Sequence, residues 1–384
     1  TQSSFTTQII LNKYLRKYMR TIGFILFNDD YEEWKHYRRI LEQTISNQSY
    51  QHALFDIIVE SFKEIQVYWK ELGAEHVVDM REWTMRQLFD IIFRTTTGEN
   101  LSIMTKYFNS LTTGPKIHIA EEIDRMGEDI EQQLENSPKG AFYFLYVPEV
   151  LVRSIFWPKT KKYFQKPEKV RAIYDKIIRK RRQENQNKNS SNRKEDVLNL
   201  LLNNKSIALS DQQISIILFE IIGASFLTTS NTFGFMLEYI ERNPNVKQKL
   251  LEELNTVFGG DKTNISFNKL TQLKYIGAVI NETLRHSPSF LTILRANSQE
   301  VDVVGCKWHA STQFRINVTA IHQNPSLWHN PHEFNPERFL DGQKENIKNN
   351  SNLNFGTGLR ICPGRFQAAN MLKTMISLLY LNYQ

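Results

Sequence analysis

A loop near the C-terminal end of the chain carries the residues best suited to chemistry. Cys362 lies among glycines there, in the run Phe355-Gly-Thr-Gly358-Leu-Arg360-Ile-Cys362-Pro-Gly364. A thiolate that binds a metal needs N–H donors near its sulfur, and flanking glycines let backbone N–H groups approach it. A helix that starts just after Cys362 would direct its positive end at the sulfur and lower the thiol pKa. The same pattern also fits a buried structural cysteine in a glycine-rich turn.

The composition narrows the classes of protein that this loop can belong to. Cys306 is the only other cysteine, so a disulfide framework is excluded and a reducing compartment is favoured. The net charge of +7 is spread along the chain without interleaved aromatic residues, so we expect no nucleic-acid partner. The main basic cluster, 179–182, predicts a solvated helix end. The chain has no uninterrupted apolar stretch of about 20 residues, the length that would predict a membrane span.

Most of the elements that must position the cysteine loop are predicted to be helices. Apolar residues recur at three- and four-residue spacing in five early segments, and Ser210 to about Arg242 forms the longest such pattern. Ser210 and Gln213 form a capping-box pair, and the centre of this helix is apolar on nearly every face, so we expect it to be buried. The five early segments are 31–48, 51–72, 80–96, 119–135 and 166–183.

Shorter elements follow the long helix. Helical patterns at 245–258 and 268–286 precede alternating stretches near 291–296, 301–304 and 313–318, which predict strands. From Pro325 a loop-rich section leads to the cysteine loop. The fold class predicted is mainly α with a small β-sheet, in a single large domain over 1–384.

The loop around Cys362 resembles the cysteine-ligand signature of the cytochromes P-450. Phe355, Gly358, Arg360, Cys362 and Gly364 match each of its defining positions. In that family the cysteine binds the iron of haem b, so the resemblance implies that Cys362 is the metal ligand. An all-α interaction scaffold with an accidental cysteine loop is the alternative of a different class.

Further motifs resemble those of the family and follow in its order. Glu282-Thr-Leu-Arg285 resembles its ExxR motif, and Asn335-Pro-Glu-Arg338-Phe resembles its PERF motif. The resemblance implies that Glu282, Arg285 and Arg338 form a buried ion-pair triad behind the haem, which is a folding device rather than a catalytic one. Taken alone, an ExxR pair also fits a salt bridge on a solvated helix face.

The resemblance also implies a set of haem contacts outside the triad. Trp34-Lys-His-Tyr-Arg38 resembles the WxxxR segment that contacts a haem propionate, and Arg295 matches a second propionate arginine. The implied cofactor contacts are Trp34, Arg38, Ala224, Arg295, Phe355, Gly358, Arg360 and Gly364.

The centre of the long helix departs from the family pattern. Where the family has a small residue, glycine, any residue, an acid and a threonine pair, this chain has Ala224-Ser225-Phe-Leu227-Thr228-Thr. Thr228 is thus the candidate catalytic residue for proton delivery, and Leu227 replaces the acid that would serve as a relay. One reading is a monooxygenase with an altered relay, in which Thr228 and Ser225 hold water. The alternative is an isomerase, dehydratase or peroxide-using enzyme that needs no external protons. Thr228 also fits a helix threonine bonded to a carbonyl one turn earlier.

Partners and substrate are inferred from the same resemblance. It implies an NADPH-dependent flavoprotein reductase, whose acidic surface Arg365 and Lys373 are placed to meet. The order of motifs resembles eukaryotic microsomal members, which implies the cytosolic face of the endoplasmic reticulum membrane. Compared with the family, the N-terminal anchor, the first strands and the last strands are absent from this haem domain.

An apolar pocket is expected over the haem, which implies a lipophilic small-molecule substrate. Each of its candidate residues also fits plain core. Segment 142–157 resembles an access channel that enters the membrane surface, and also fits a buried core segment. The pocket candidates are Phe219, Ile222, Ala224, Phe226, Phe290, Leu291 and Ile293.

Overall fold

A computed structural model describes most of the chain. The residues described are 30–112, 157–186, 195–204, 208–259, 265–340 and 351–383, together with Ile25 and Asn28. The predicted helix at 119–135 lies outside them, as does all but the last residue of the apolar segment 142–157.

Most of the described helices lie on the predicted apolar patterns, whereas the short helices at 103–112 and 318–322 were not predicted. In chain order the described helices are α1 (Tyr31–Ile45), α2 (Gln48–Leu72), α3 (Met80–Thr97), α4 (Ile103–Thr112), α5 (Trp157–Gln186), α6 (Val197–Leu202), α7 (Asp211–Arg242), α8 (Pro244–Phe258), α9 (Lys274–His286), α10 (Val318–His322) and α11 (Arg365–Asn382). Short 3₁₀ turns lie at Phe267–Gln272, Pro336–Phe339 and Gly358–Arg360.

Local signals in the sequence fix where several helices begin. The carboxylate of Asp30 accepts the Glu33 N–H at the start of α1, and Asp79 does the same for the first turn of α3. The predicted capping box is present, with Ser210 and Gln213 exchanging hydrogen bonds before α7. These caps satisfy N–H groups that have no partner within their helices.

Helix α7 runs through the core of the protein. It packs most extensively against α3, and also against α5, α8, α9 and α11. Its first half buries Ile214, Ile217, Leu218 and Ile222 completely or nearly so, as its apolar pattern predicts. By length and composition α7 is apolar enough to cross a membrane, but 61% of its most apolar window is buried inside the protein, as in a core helix.

The strands form two small antiparallel pairs after α9. Strand β1 (Thr292–Ala296) pairs with β4 (Gln313–Asn317), with Thr292 opposite Asn317 and Ala296 opposite Gln313. Strand β2 (Val301–Val303) forms a hairpin with β3 (Cys306–Trp308), a strand that the alternation of residues did not predict. The three predicted strands are confirmed, and the described part of the chain is mainly α with a small β component.

Candidate active site

The candidate site includes a buried ion-pair cluster on α9. Both oxygens of Glu282 accept hydrogen bonds from Arg285, at 2.8 Å each, and Oε1 also accepts from Nε of Arg338 at 3.2 Å. The Asn335 N–H donates to the same carboxylate at 2.8 Å. Neither Glu282 nor Arg285 is exposed to solvent. The predicted triad is therefore present, and the alternative of a solvated surface salt bridge is wrong.

The two arginines of the triad also hold the loop-rich section in place. Arg285 donates from Nη1 to the carbonyl oxygens of His322 and Pro331, at 2.8 Å each. Arg338 donates from Nη1 to the His329 carbonyl at 2.9 Å. Because these carbonyls lie far from α9 in sequence, the triad fixes the path of the chain that leads to the cysteine loop.

The cysteine loop folds back on itself around Cys362. The Cys362 N–H donates to the Phe355 carbonyl at 2.8 Å, and Gly356 and Gly358 adopt positive φ angles of 75° and 68°. Glycine takes such angles with no steric cost from a Cβ, which explains why glycines suit these positions. Helix α11 begins at Arg365, directly after Gly364, so its positive end lies beside the cysteine as predicted.

The thiol of Cys362 is half-buried, and two opposing effects act on its pKa. Burial raises the pKa, whereas the backbone N–H groups of Gly364 and Arg365 lower it. The positive charges of Arg38 and Arg365 also favour the thiolate. The lowering expected from the start of the following helix is present, but the net direction is upward, because burial penalises the charged form more than the nearby donors offset.

Three of the predicted haem contacts come together next to this loop. The guanidinium of Arg360 stacks 4.0 Å from the ring centroid of Trp34, and that of Arg38 lies 5.9 Å from the same ring. Arg38 pairs with Glu42 at 2.8 Å, and Arg360 donates to the carbonyls of Ile25 and Asn28. The indole N–H of Trp34 is buried and has no partner among the described residues.

Arg295, the other predicted propionate contact, lies on a different element. It lies on β1, and its only hydrogen bond within the described residues is to the Leu294 carbonyl at 2.8 Å. Burial lowers its pKa, and no carboxylate of the described chain pairs with it. Strand β1 approaches the cysteine loop, since a Cβ at Gly356 would lie 4.0 Å from Cδ1 of Ile293.

Helix α7 presents a mixed face at its centre. Ala224 is exposed although Ile222 and Phe226 beside it are buried, so the helix borders an opening at this point. The hydroxyl of Thr228 donates to the Ala224 carbonyl at 2.8 Å. This is the alternative in which a helix threonine bonds to a carbonyl one turn earlier. Leu227 packs against the core, whereas Ser225 is half-buried and offers a hydroxyl three residues before Thr228.

The structure separates the pocket candidates into two groups. Phe226 is core: only 1% of its side chain is exposed, and its ring lies edge-on to Phe89 at 5.0 Å. Ile222 is fully buried, and Phe219 is half-buried and packs against the same core, so the interpretation as plain core describes these side chains better. Helix geometry turns Phe226 toward Phe89 on α3. By contrast, Phe290 and Leu291 are about two-thirds exposed, at 67% and 64%.

One of the two cations predicted to meet a partner protein, Lys373, is hydrogen-bonded within the fold. Lys373 donates to the Leu270 carbonyl at 3.0 Å, and burial lowers its pKa. It therefore contributes to the packing of α11, and its contact with a partner stays a prediction. Arg365 stays beside the cysteine loop, where it donates to the Cys362 carbonyl at 3.1 Å and lies over the exposed ring of Phe366.

Sequence reasoning missed two residues that hold the cysteine loop. His322 is fully buried, and its Nε2 accepts the Leu353 N–H at 3.0 Å. Asn354 donates from Nδ2 to the Asn281 carbonyl at 2.7 Å, directly next to the triad on α9. The only signal for His322 in the sequence was its place in the short apolar run before Pro325, which does not distinguish a tether from ordinary core.

Comparison with known proteins agrees with this geometry. The sequence profile described as Cytochrome P-450 matches residues 2–384. The chain belongs to the cytochrome P-450 family. It is 33% identical over 220 residues to tabersonine 6,7-epoxidase isoform 1 of Catharanthus roseus, a match that covers 55% of this chain and 43% of that protein.

Two further matches extend over more of the chain. Tabersonine 16-hydroxylase 1 of Catharanthus roseus is 29% identical over 364 residues, which is 85% of this chain and 70% of that protein. The haem domain of cytochrome P-450DA superposes with a TM-score of 0.74 at 20% identity, covering 94% of this chain and 74% of that one. This chain thus spans less than half of one curated relative and about two thirds of the other, and the structural match shows the fold.

Family membership implies a haem bound through a cysteine thiolate, and the described residues fit such a group. An anionic propionate would supply the acceptor that the buried Trp34 N–H lacks and the counter-charge that Arg295 lacks. The backbone N–H groups next to Cys362 suit a thiolate ligand. Space for a flat cofactor is consistent with Ala224 and Gly358, where the helix and the loop border open volume.

Proposed function

We propose that the protein is a haem-thiolate monooxygenase. It inserts one oxygen atom from O₂ into a lipophilic substrate, using electrons from an NADPH-dependent flavoprotein reductase. The observation that carries this proposal is the cysteine loop, which the triad and α11 hold with backbone N–H groups directed at Cys362. The relatives described above are named for epoxidation and hydroxylation, which favours oxygen insertion over the isomerase or dehydratase alternative.

In this proposal each predicted haem contact has a defined role. Cys362 binds the iron of haem b, while Phe355, Gly358 and Gly364 shape the turn around its sulfur. Trp34, Arg38, Arg295 and Arg360 bind the propionates through one N–H and three guanidinium groups. Ala224, with its small side chain, leaves room for the ring on the α7 side. When bound, the haem supplies an iron at which O₂ is reduced, and the thiolate favours O–O cleavage.

The protein's own part in oxygen activation is the delivery of protons. The Thr228 hydroxyl donates a hydrogen bond to the Ala224 carbonyl, so its oxygen is left to accept a hydrogen bond from water. Ser225 offers a second hydroxyl three residues earlier, on the same side of the helix. Because Leu227 packs in the core, water held by these two hydroxyls takes the place of the acid.

Substrate and partner follow from the exposed surface. Phe290 and Leu291 lie after α9 with most of their side chains exposed, and we propose that they line an apolar substrate pocket with Ala224. Arg365 and Phe366 lie beside the cysteine loop, where a reductase would approach the haem. We place the protein at the cytosolic face of the endoplasmic reticulum membrane.

The experiment is the absorption spectrum of the reduced, carbon-monoxide-bound protein. We expect a strongly red-shifted Soret band that is lost in Cys362→Ala and kept in Cys306→Ala, which removes the exposed cysteine instead. A band at the position of histidine-ligated haem in the unchanged protein would refute thiolate ligation. Consumption of NADPH in step with substrate oxidation would then support the monooxygenase, whereas product formed without NADPH would support the isomerase.

A further inference from the structure

His322 joins the ion-pair cluster to the cysteine loop. It is the last residue of α10, and none of its side chain is exposed. Its backbone oxygen accepts a hydrogen bond from Arg285 at 2.8 Å. Its ring nitrogen Nε2 accepts the Leu353 N–H at 3.0 Å, across a separation of 31 residues. One residue therefore receives a bond from the triad and anchors the segment that carries the cysteine.

The anchored segment leads to Cys362 through a short series of backbone bonds. The Leu353 carbonyl accepts the Gly356 N–H at 2.9 Å, and the Phe355 carbonyl accepts the Cys362 N–H at 2.8 Å. A displacement of Leu353 would therefore change the turn at Gly356 and, through Phe355, the position of the Cys362 backbone. Asn354 is held independently by Asn281, so the path has a second attachment.

The chemistry of the imidazole suits this role. To accept the Leu353 N–H, Nε2 must carry no proton, so the ring must be neutral. Burial lowers the pKa of His322 to about 4, although the hydrogen bond with Arg285 and the charge of Glu282 oppose the shift. The ring also lies edge-on to Trp328, with centroids 6.0 Å apart, which fixes its orientation. The acceptor is thus available and held in one direction near pH 7.

We propose that His322 is a positioning residue for Cys362. Its carbonyl oxygen is held by Arg285 and its ring holds the Leu353 N–H. His322 therefore determines where the Cys362 sulfur would meet the haem iron. The inference rests on the proposed function, in which the Cys362 thiolate would bind the haem iron. His322 touches neither haem nor substrate in this account, and it acts only through Leu353.

The test compares two replacements of His322 in the haem-loaded protein. His322→Leu removes the acceptor and keeps an apolar side chain, whereas His322→Gln places an amide oxygen near the position of Nε2. Leu254→Ala, at a site that is 1% exposed on α8, is the control for a general loss of stability. The measurements are deuterium exchange at the Leu353 amide and the fraction of the carbon-monoxide complex that shows the thiolate-type Soret band.

We expect His322→Leu to speed exchange at Leu353 on the order of tenfold, as for loss of one buried hydrogen bond. The same variant should lose a substantial part of the thiolate-type band, and His322→Gln should restore both signals. Leu254→Ala should lower the thermal midpoint and leave both signals unchanged. The inference is overturned if exchange at Leu353 rises while the band stays complete, or if Leu254→Ala reproduces the effects of His322→Leu. Absence of the thiolate-type band in the unchanged protein would instead overturn the proposed function, and the inference with it.

Discussion

Replacing Glu282 with glutamine isolates the electrostatic part of the buried cluster on α9. Glutamine has nearly the same shape but no charge, so the fully buried Arg285 would lose its counter-ion. One oxygen of Glu282 also accepts from Arg338 and from the Asn335 N–H, and an amide cannot accept at both of its atoms. The change therefore leaves a buried positive charge and at least one poorly matched donor.

The magnitude follows from the pKa of Glu282 in the folded protein. Burial alone would raise this pKa, but hydrogen bonds from Arg285 and His286 and the charges of Arg285 and Arg338 outweigh it and lower the pKa from 4.5 to about 2. Such a shift corresponds to about 3 kcal/mol of folding free energy. Removal of one partner from a buried ion pair costs a similar amount, about 3–5 kcal/mol.

We therefore expect Glu282→Gln to lower the free energy of unfolding by about 3 kcal/mol at pH 7. The control is Glu337→Gln, because Glu337 pairs with Lys249 at the surface and both side chains are nearly half exposed. That exposed pair should contribute at most about 1 kcal/mol. Urea unfolding followed by far-ultraviolet circular dichroism measures both differences.

The pH dependence gives a second check on the same residue. Because the folded pKa lies below the ordinary value, the stabilisation is present above pH 4.5 and is lost as the pH falls toward about 2. The unchanged protein should lose stability over this interval more steeply than Glu282→Gln. Equal losses for Glu282→Gln and Glu337→Gln at pH 7 would refute the reasoning, and so would parallel acid profiles for Glu282→Gln and the unchanged protein.

Two further predictions concern single buried groups. Burial raises the pKa of Asp90 from 3.8 to about 6, although the N–H groups of Met104 and Ile103 oppose the shift. The folded state therefore binds this proton more tightly than the unfolded state, and stability should fall as the pH rises from about 4 to 6. Thermal melts should show that Asp90→Asn removes this part of the pH dependence. A difference in melting temperature between Asp90→Asn and the unchanged protein that stays constant across that interval would contradict this prediction. For the candidate haem site, Trp34→Phe removes a buried indole N–H that lacks a partner among the described residues, and the melting temperature of the haem-free chain measures the packing lost with the larger ring. Loss of haem to an apo-myoglobin trap should become roughly tenfold faster, as for a hydrogen bond to a charged group; equal rates would mean that Trp34 does not contact a propionate.

Much of the local structure could be predicted from the sequence, because the signals that set it are themselves local. The capping box at Ser210 and Gln213 places the start of α7, and the glycines at 356 and 358 adopt the positive φ angles that the turn before Cys362 requires. The triad and the cysteine loop were predictable for another reason: their residues match family motifs in order, so one sequence carried information about distant contacts.

Burial was harder to predict, since a helical pattern does not say which neighbour covers each face. Within the basic cluster 179–182, Arg181 is only 4% exposed and pairs with Asp196 at 2.7 Å, so the expected solvated helix end is wrong at this residue. Phe226 was expected in the pocket but lies in the core against Phe89, which α3 supplies from far along the chain. The sequence predicts that Lys373 is a surface cation, yet its hydrogen bond to the Leu270 carbonyl holds it half-buried.

By itself, the sequence determined most of the helices and strands, the turn that carries Cys362 and the family to which the chain belongs. Only the tertiary structure decided the environment of each group. The net upward shift of the Cys362 pKa and the attachment of Leu353 to His322 both depend on atoms that are distant in sequence and close in space. Solvation and hydrogen bonding act over a few ångströms in space, so folding must bring those atoms together before such properties exist.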